Sequence, residues 1–311
     1  MLKFIVRRIF WTIPVLLVVI FLTFTMMRQI GGNPFRRSER PVPEAVQRNL
    51  ERKFNVDEPF LVQYAYYVKN IFTLDLGPSL VVRGRDVNDI VKTHFPKSIE
   101  LGLYAFLFAI VIGVPLGVIA ALKHNTIVDY AAMFFSNVFH AVPSFLVATL
   151  LIYYFALQWG DVFQLPTSGW TTWKHKILPS IALGFGPMAL FARLVRGTML
   201  ETLQQDYVRT ARAKGLRYRR VIALHVLRNS LIPVITAAGP LLGFIITGSF
   251  VIELIFNIPG IGQNYVDSVN NRDYSVVMGL TVLLSVIVIV ANLVVDILYG
   301  ILDPRTRDAR A

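Results

Sequence analysis

Three side chains that could support nucleophilic chemistry recur at helical spacing within one apolar stretch. Ser136, His140 and Ser144 are each four residues apart, so an uninterrupted helix would carry them on one face. A serine beside a histidine is the pairing that activates a hydroxyl group for acyl transfer. No glycine motif able to form an oxyanion hole accompanies them, and Pro143 interrupts the helix. The pattern therefore favours a kinked helix that lines a passage over a hydrolase.

Charged residues in or beside apolar stretches are the second group to consider. Asp296 is close to the end of the last stretch, where an ion pair with Arg305 is favoured over a proton relay. Glu253 follows an apolar stretch and has two open interpretations: contact with a substrate or an external protein, and a helix-cap or loop contact. Arg193 and Arg196 fall near the end of the fourth stretch and are expected to extend to the membrane surface.

The sequence lacks the devices of several other functions. It has no cysteine, so disulfides and thiolate metal sites are excluded, and no metal site is expected. The phosphate-binding pattern Gly-x-x-x-x-Gly-Lys-Ser/Thr does not occur. The chain is therefore expected to bind no ATP by that device and to carry no catalytic residue of its own.

Composition points to a membrane protein. Of the 311 residues, 55% are hydrophobic and only 16% are charged, and the mean hydropathy is +0.57. The net charge of +12 is also compatible with nucleic acid. Because Lys and Arg accumulate in the cytoplasmic loops of membrane proteins, the membrane interpretation is stronger, and no nucleic-acid partner is expected.

Six apolar segments are long enough to cross a bilayer, which predicts an all-α integral membrane protein with six transmembrane helices. The first, residues 9–27, is too long for a typical signal peptide and is expected to be retained. Residues 1–30 contain this first helix, residues 31–97 an extracytoplasmic insert of short helices, and residues 98–311 a core of five helices. The five core segments are residues 98–122, 130–157, 177–200, 231–252 and 276–302.

Charge distribution predicts the orientation. Six spans place both termini on one side, and the basic residues of the termini and of the long loop near position 210 fall on that side. The short loops on the other side carry few basic residues. Both termini are therefore expected in the cytoplasm.

Residues 206–220 form a basic segment between the fourth and fifth spans. Its basic residues are Arg209, Arg212, Lys214, Arg217, Arg219 and Arg220. Within the cytoplasmic region 201–229, residues 201–213 and 217–228 are each predicted to form a short helix along the membrane. Gly215 is well placed as the left-handed residue that ends the first helix. The alternative is a solvated basic loop.

The motifs of this chain resemble a known family at several places. Tyr207-Val-Arg-Thr-Ala-Arg-Ala-Lys-Gly215 is similar to the cytoplasmic signature of permeases of binding-protein-dependent ABC importers, in the version of the peptide and nickel branch. Of the general signature Glu-Ala-Ala-x-x-x-Gly, only Ala211 and Gly215 match. The resemblance extends to residues 75–77, 248–253, 259–262 and 302–305, and indicates the first of two permease subunits.

The resemblance implies a set of partners and a coupling helix. The partners are a second homologous permease, two cytoplasmic ATPase subunits that hold ATP and magnesium, and an extracytoplasmic substrate-binding protein, all at a prokaryotic plasma or inner membrane. This subunit itself would hold no cofactor. Carried over from the family, the ATPase-coupling positions are Tyr207, Arg209, Thr210, Ala211, Arg212 and Gly215.

The cargo and its route are the remaining expectations. By resemblance, dipeptides or oligopeptides come first, with nickel complexes, glutathione or oligosaccharides as alternatives. An ion-coupled secondary transporter is a further alternative, for which Asp296 would be the coupling acid. The predicted lining residues are Ser136, Asn137, His140 and Ser249, and Glu253 is the predicted contact for the binding protein or a gate.

Overall fold

The computed structural model describes residues 2–29, 58–82, 84–247 and 249–302, and these parts are almost entirely helical. Helix α1 (Leu2–Gln29) is followed by helix α2 (Phe60–Phe72). The Tyr64 hydroxyl of α2 donates a hydrogen bond of 2.9 Å to the Leu17 carbonyl of α1. Much of the predicted insert, residues 30–57, lies outside the described residues.

Helix α3 (Val87–Leu122) is 36 residues long and begins eleven residues before the predicted start of the second span at Ser98. At 1.5 Å per residue it is about 54 Å long, whereas the hydrocarbon core of a bilayer is about 30 Å thick. Hydropathy detects only the apolar part of such a helix. The first turns of α3 therefore belong to the same continuous element as the span.

Two glycines of α3 allow it to pack closely and in parallel against helix α7 (Trp173–Leu203). A methyl group placed on Gly113 would lie 2.5 Å from the Met188 carbonyl oxygen, and one on Gly117 would lie 2.5 Å from that of Ala192. Neither position has room for a larger residue. Gly113 and Gly117 thus permit close helix packing, and this contact forms the centre of the bundle.

The third span is broken. Helix α4 (Ile127–Ala141) and helix α5 (Ser144–Leu151), which continues as a π-helix over Ile152–Gln158, meet at an angle of 104°. Pro143 cannot donate a helical hydrogen bond and forces Val142 into an extended conformation, with ψ of 126°. The kink expected at Pro143 is confirmed, and the span predicted over residues 130–157 corresponds to α4 and α5 together. A short helix α6 (Gly160–Phe163) leads towards α7.

The fifth span also differs from the prediction. After helix α8 (Asp206–Ala213), helix α9 runs without a break from Tyr218 to Ile246, with a π-helical turn at Ile222–Leu227. The expected end at Ile252 is wrong, because Ser249 is extended and starts a separate helix α10 (Phe250–Ile255). Helix α11 (Ile261–Asn271) and helix α12 (Tyr274–Leu302) complete the described chain.

Five helices in the described part of the chain are long and apolar enough to cross a membrane, and the bent pair α4–α5 makes six if it counts as one span. The predicted all-α, six-span architecture is confirmed in this form. The helices α3, α7 and α9 define two ends of the bundle. The end that carries α8 is called the basic end, and the end that carries α10 and α11 is called the opposite end.

Candidate functional site

Helix α8 is a short, well-terminated helix at the basic end. Gly215 follows it with φ of +75°, in the left-handed region, as predicted. The Gly215 amide donates to the Arg212 carbonyl at 2.9 Å, and the Leu216 amide donates to the Ala211 carbonyl at 3.4 Å. This pair of bonds is the Schellman arrangement, which closes the last turn. A Cβ on Gly215 would meet no atom of the described part of the chain within 4 Å, so the requirement for glycine comes from the backbone angle.

One face of α8 is packed against the bundle. Val208 is fully buried and Ala211 is 5% exposed, and both belong to a core cluster with Met199, Val221 and Val226. These core residues come from the two helices that flank α8 in the chain, α7 and α9. The structure therefore fixes α8 to both spans by apolar contact.

The other face of α8 is open. It presents a polar row made of Tyr207, Arg209, Thr210 and Arg212. Tyr207 is 43% exposed, and its hydroxyl accepts a hydrogen bond of 3.1 Å from the Asn229 amide group. The Arg212 guanidinium lies 5.9 Å from the ring centre of Tyr218. Of the six predicted coupling positions, four share this open face, Ala211 anchors the helix, and Gly215 terminates it.

The predicted second short helix does not lie separately along the membrane. Residues 218–227 are the first turns of α9 and continue into the span. Val221, Ile222 and Val226 are buried in the cluster beneath α8. An apolar face of this kind suits a span that enters the bundle as well as a helix that lies along the membrane. The sequence pattern therefore could not distinguish the two arrangements.

A hydroxyl cluster, absent from the sequence predictions, joins α7 to α9 beside α8. It consists of Thr198, Thr202 and Ser230. The Thr198 hydroxyl donates to the Ser230 carbonyl at 2.9 Å, and the Ser230 hydroxyl lies 3.1 Å from that of Thr202. The i, i+4 spacing of Thr198 and Thr202 near the end of an apolar helix is the only sequence signal for it. This cluster joins the two helices to which α8 is connected, α7 and α9, by hydrogen bonds.

Arg196, expected to extend towards the membrane surface, has a specific partner within the subunit. Its guanidinium donates to both oxygens of Asp129, with Nε–Oδ1 at 2.6 Å and Nη2–Oδ2 at 2.8 Å. Asp129 is fully buried and also accepts from the Asn125 amide at 3.0 Å, while His124 Nδ1 lies 3.2 Å from Oδ2. A buried carboxylate requires such a partner. The ion pair fastens the first turn of α4 to α7.

The predicted lining residues of α4 have different environments. Ser136 is buried, and its hydroxyl has no hydrogen-bond partner among the described residues, whereas Asn137 and His140 are exposed. Ser144 lies beyond the 104° bend, so it does not share a face with Ser136 and His140. The structure thus separates Ser144 from the other two residues that suggested nucleophilic chemistry. Exposed polar groups within a span indicate a passage or a protein partner.

At the opposite end, Ser249 and Glu253 have structural contacts. The Ser249 hydroxyl accepts a hydrogen bond from the Ile252 amide at 3.3 Å and caps α10. Glu253 is fully buried, accepting from the Ser98 hydroxyl at 2.7 Å and from the Gly262 amide at 2.7 Å. The expected contact of Glu253 with an external protein is therefore corrected to the loop contact, since its carboxylate is enclosed within this subunit.

The environment of Glu253 favours the neutral acid. Burial raises the pKa of its carboxyl group above the usual 4.5, against the opposing effect of the hydrogen bonds from Ser98 and from the Gly262 and Gln263 amides. A methyl group on Gly262 would lie 2.7 Å from the carboxylate, so the loop can approach only with glycine there. Asp296 and its expected partner Arg305 cannot be compared in this way, because their side chains lie outside the described residues.

The fold defines an integral membrane protein in which the short helix α8 presents an open polar face at one end of the bundle. Residues 113–308 match the family described as binding-protein-dependent transport system inner membrane component, and residues 1–102 match the N-terminal part of such components. The chain belongs to this family. It is a permease subunit of the ABC transporter class, as the resemblance predicted.

Two relatives match nearly the whole chain. It is 47% identical over 307 residues to the dipeptide transport system permease protein DppB of Bacillus subtilis (strain 168), covering 99% of this chain and 98% of the relative. It is 46% identical over 311 residues to the oligopeptide transport system permease protein OppB of Salmonella typhimurium (strain LT2), covering 99% and 100%.

A solved structure shares the fold. The inward-facing MetNI methionine ABC transporter has a chain that matches with a TM-score of 0.58 at 18% identity, covering 69% of this chain and 96% of that chain. At this level of identity the likeness concerns the fold alone.

Proposed function

We propose that this chain forms half of the translocation pathway of an ATP-driven importer of dipeptides or oligopeptides. Two relatives with peptide transport in their names match it over nearly its full length, which supports this cargo over nickel complexes, glutathione or oligosaccharides. The basic end faces the cytoplasm in this proposal, as the distribution of Lys and Arg indicates. A second permease, two ATPase subunits and an extracytoplasmic binding protein complete the assembly.

Helix α8 carries the proposal. It is anchored on one face by Val208 and Ala211, closed by Gly215, and open on the face that bears Tyr207 and Arg209. A rigid element fixed to two spans can convert a movement of an attached protein into a movement of those spans. ATP and magnesium would be bound by the attached ATPase, and this subunit would perform alternating access without chemistry of its own.

The test is a pull-down of the tagged chain from its native membranes in mild detergent, followed by mass spectrometry. We expect recovery of a second permease and of ATPase subunits. The double variant Arg209→Glu/Arg212→Glu should lower the recovered ATPase by at least about tenfold, since like-charge or mismatched contacts at an interface cost several kcal/mol and about 1.4 kcal/mol already corresponds to a factor of ten. A peptide on a co-purified binding protein would support the cargo.

The matched control is Arg217→Glu/Arg219→Glu, which makes the same charge change in the basic segment but outside α8. It should retain the ATPase. Equal loss in both double variants would show that net charge, rather than the α8 face, holds the partner. Recovery of the chain alone, with solute movement in vesicles that needs no ATP, would contradict the proposal and favour a secondary transporter.

A further inference from the structure

Two arginines one turn apart on helix α7 have different partners. Arg196 forms the buried ion pair with Asp129, whereas Arg193 Nη1 lies 3.5 Å from the neutral Asn137 Oδ1. Among the residues that the structure describes, no carboxylate lies within 4.0 Å of the Arg193 guanidinium. A guanidinium keeps its charge at all physiological pH values. Arg193 therefore carries a positive charge that the described part of the subunit does not neutralise.

The depth of Arg193 makes this charge significant. Ten residues separate it from Leu203 at the end of α7, which is about 15 Å along the helix axis. Charged side chains at such positions face a water-filled passage or a protein partner, because hydrocarbon solvates them poorly. Its neighbour across the helix contact is Asn137, and His140 lies one turn further along α4. Asn137 and His140 are exposed and Arg193 is partly exposed, so polar groups of α4 and α7 lie side by side at this depth.

We propose that Arg193 binds the C-terminal carboxylate of the peptide during its passage, with Asn137 beside it. This inference rests on the proposed function as a peptide importer. A guanidinium matches a carboxylate with two parallel hydrogen bonds. Every unmodified peptide ends in a carboxylate, whatever its side chains. An arginine in the passage can thus recognise peptides as a class without selecting among sequences, and water in the passage keeps the contact weak enough to release.

The experiment uses the complete transporter, with its partner subunits and binding protein, reconstituted in vesicles. ATP-driven uptake of a tripeptide with a free C-terminal carboxylate is compared with uptake of the same tripeptide as its C-terminal amide, both at saturating binding protein. Arg193→Gln should lower the maximal rate for the free acid about tenfold, the value of a lost charge-assisted hydrogen bond, and change the rate for the amide little. Arg193→Lys should retain an intermediate rate for the acid.

Arg196→Gln is the matched control on the same helix. It leaves the buried Asp129 without its partner, so it should lower the rates for acid and amide in the same proportion. The same proportional loss in Arg193→Gln would overturn the proposal, because it would assign Arg193 a structural role. Unchanged rates for both peptides in Arg193→Gln would overturn it as well.

A second variant, Asn137→Asp, tests the proposal without removing the arginine. It places a carboxylate within reach of Arg193, so thermal stability in detergent should be kept or raised. If Arg193 binds the cargo, this internal carboxylate competes and the rate for the free acid falls, while the rate for the amide does not. An undiminished rate for the acid in Asn137→Asp would contradict the proposal.

Two further comparisons distinguish a lipid ligand of Arg193 from a peptide ligand, and failure of this proposal from failure of the proposed function. Vesicles of phosphatidylcholine alone are compared with vesicles that also contain phosphatidylglycerol. An effect of Arg193→Gln that occurs only with phosphatidylglycerol would identify a lipid phosphate as the ligand and overturn the proposal. If the wild-type transporter takes up neither peptide but moves another solute with ATP, the proposed peptide function itself fails. Uptake of both peptides with no acid selectivity in Arg193→Gln leaves that function standing and rejects only the role of Arg193.

Discussion

The two ends of the bundle hold their connecting segments by different interactions. At the opposite end, the loop before α11 is tied by a buried carboxylate: Glu253 joins Ser98 of α3 to the Gly262 amide. The Asp273 carboxylate, 3% exposed, similarly accepts from the Ser79 hydroxyl and from the Leu80 amide at 3.1 Å. Both carboxylates are therefore buried and hydrogen-bonded within the subunit.

At the basic end, the connecting helix is held from one side only. Val208 and Ala211 anchor α8 by apolar contact, and the hydroxyl cluster of Thr198, Thr202 and Ser230 fixes the spans beneath it. The face with Tyr207 and Arg209 has no such enclosure. The difference is that the opposite end encloses its carboxylates within the subunit, whereas the basic end leaves a polar face exposed.

Of the substitutions that test the difference between the two ends, Glu253→Leu is expected to have the largest effect on stability. The substitution leaves the Ser98 hydroxyl and the Gly262 and Gln263 amides without their acceptor in a buried site. The free energy of unfolding should fall by about 3 kcal/mol, since each unsatisfied buried donor costs about 1–3 kcal/mol. Denaturant titration of the purified protein in detergent measures this change. Asp206→Asn, at an exposed carboxylate, is the control and should change the stability little.

Glu253 also gives the opposite end a pH dependence with a definite sign. Because its native pKa is raised above 4.5, the folded protein binds more protons than the unfolded chain between that value and the native pKa. The stabilisation from the neutral acid is complete below the unfolded pKa and is lost as the pH rises through the native pKa. Glu253→Gln should remove this dependence. Wild-type stability that increases over that range, with the variant following it, would contradict the assignment.

Val208→Ala is expected to have the second-largest effect on stability. It tests whether the basic end opens independently of the opposite end. Removing two buried methyl equivalents should cost about 2 kcal/mol and loosen α8 from the core cluster. We expect faster hydrogen exchange in residues 206–214, with unchanged exchange in α10 and α11. Thr210→Ala on the open face is the control. If Val208→Ala speeds exchange at both ends equally, the two ends are one cooperative unit and the comparison fails.

The sequence could predict the features that depend on neighbouring residues. Gly215 was identified as a left-handed helix end because a basic helix leads into a single glycine. The number of spans followed from hydropathy. Each of these properties is set within a few residues of chain. Pro143 was expected to kink the third span, although proline alone does not specify a bend of 104°.

The remainder depends on contacts between distant parts of the chain. Arg196 and Asp129 are 67 residues apart, and Glu253 and Ser98 are 155 residues apart, so no local pattern pairs them. Arg196 was consequently expected at the membrane surface and Glu253 at an external protein. The end of the fifth span was misplaced because Phe250 and Ile252 are as apolar as a span residue, whereas Ser249 starts a separate capped helix there.

The smallest effect on stability is expected at Gly215, and it bears most directly on the basic end. Because the space around it is open, Gly215→Val costs only the strain of a left-handed backbone, about 1–2 kcal/mol. The last turn of α8 should nevertheless lose its closing bonds, so that ATP hydrolysis in the reconstituted transporter continues while uptake per ATP falls. Gly215→Asn is the matched control, since asparagine tolerates this conformation and should keep uptake close to wild type. Normal uptake per ATP in Gly215→Val would show that the end of α8 need not be rigid, and would leave the apolar anchor at Val208 as the element that transmits movement.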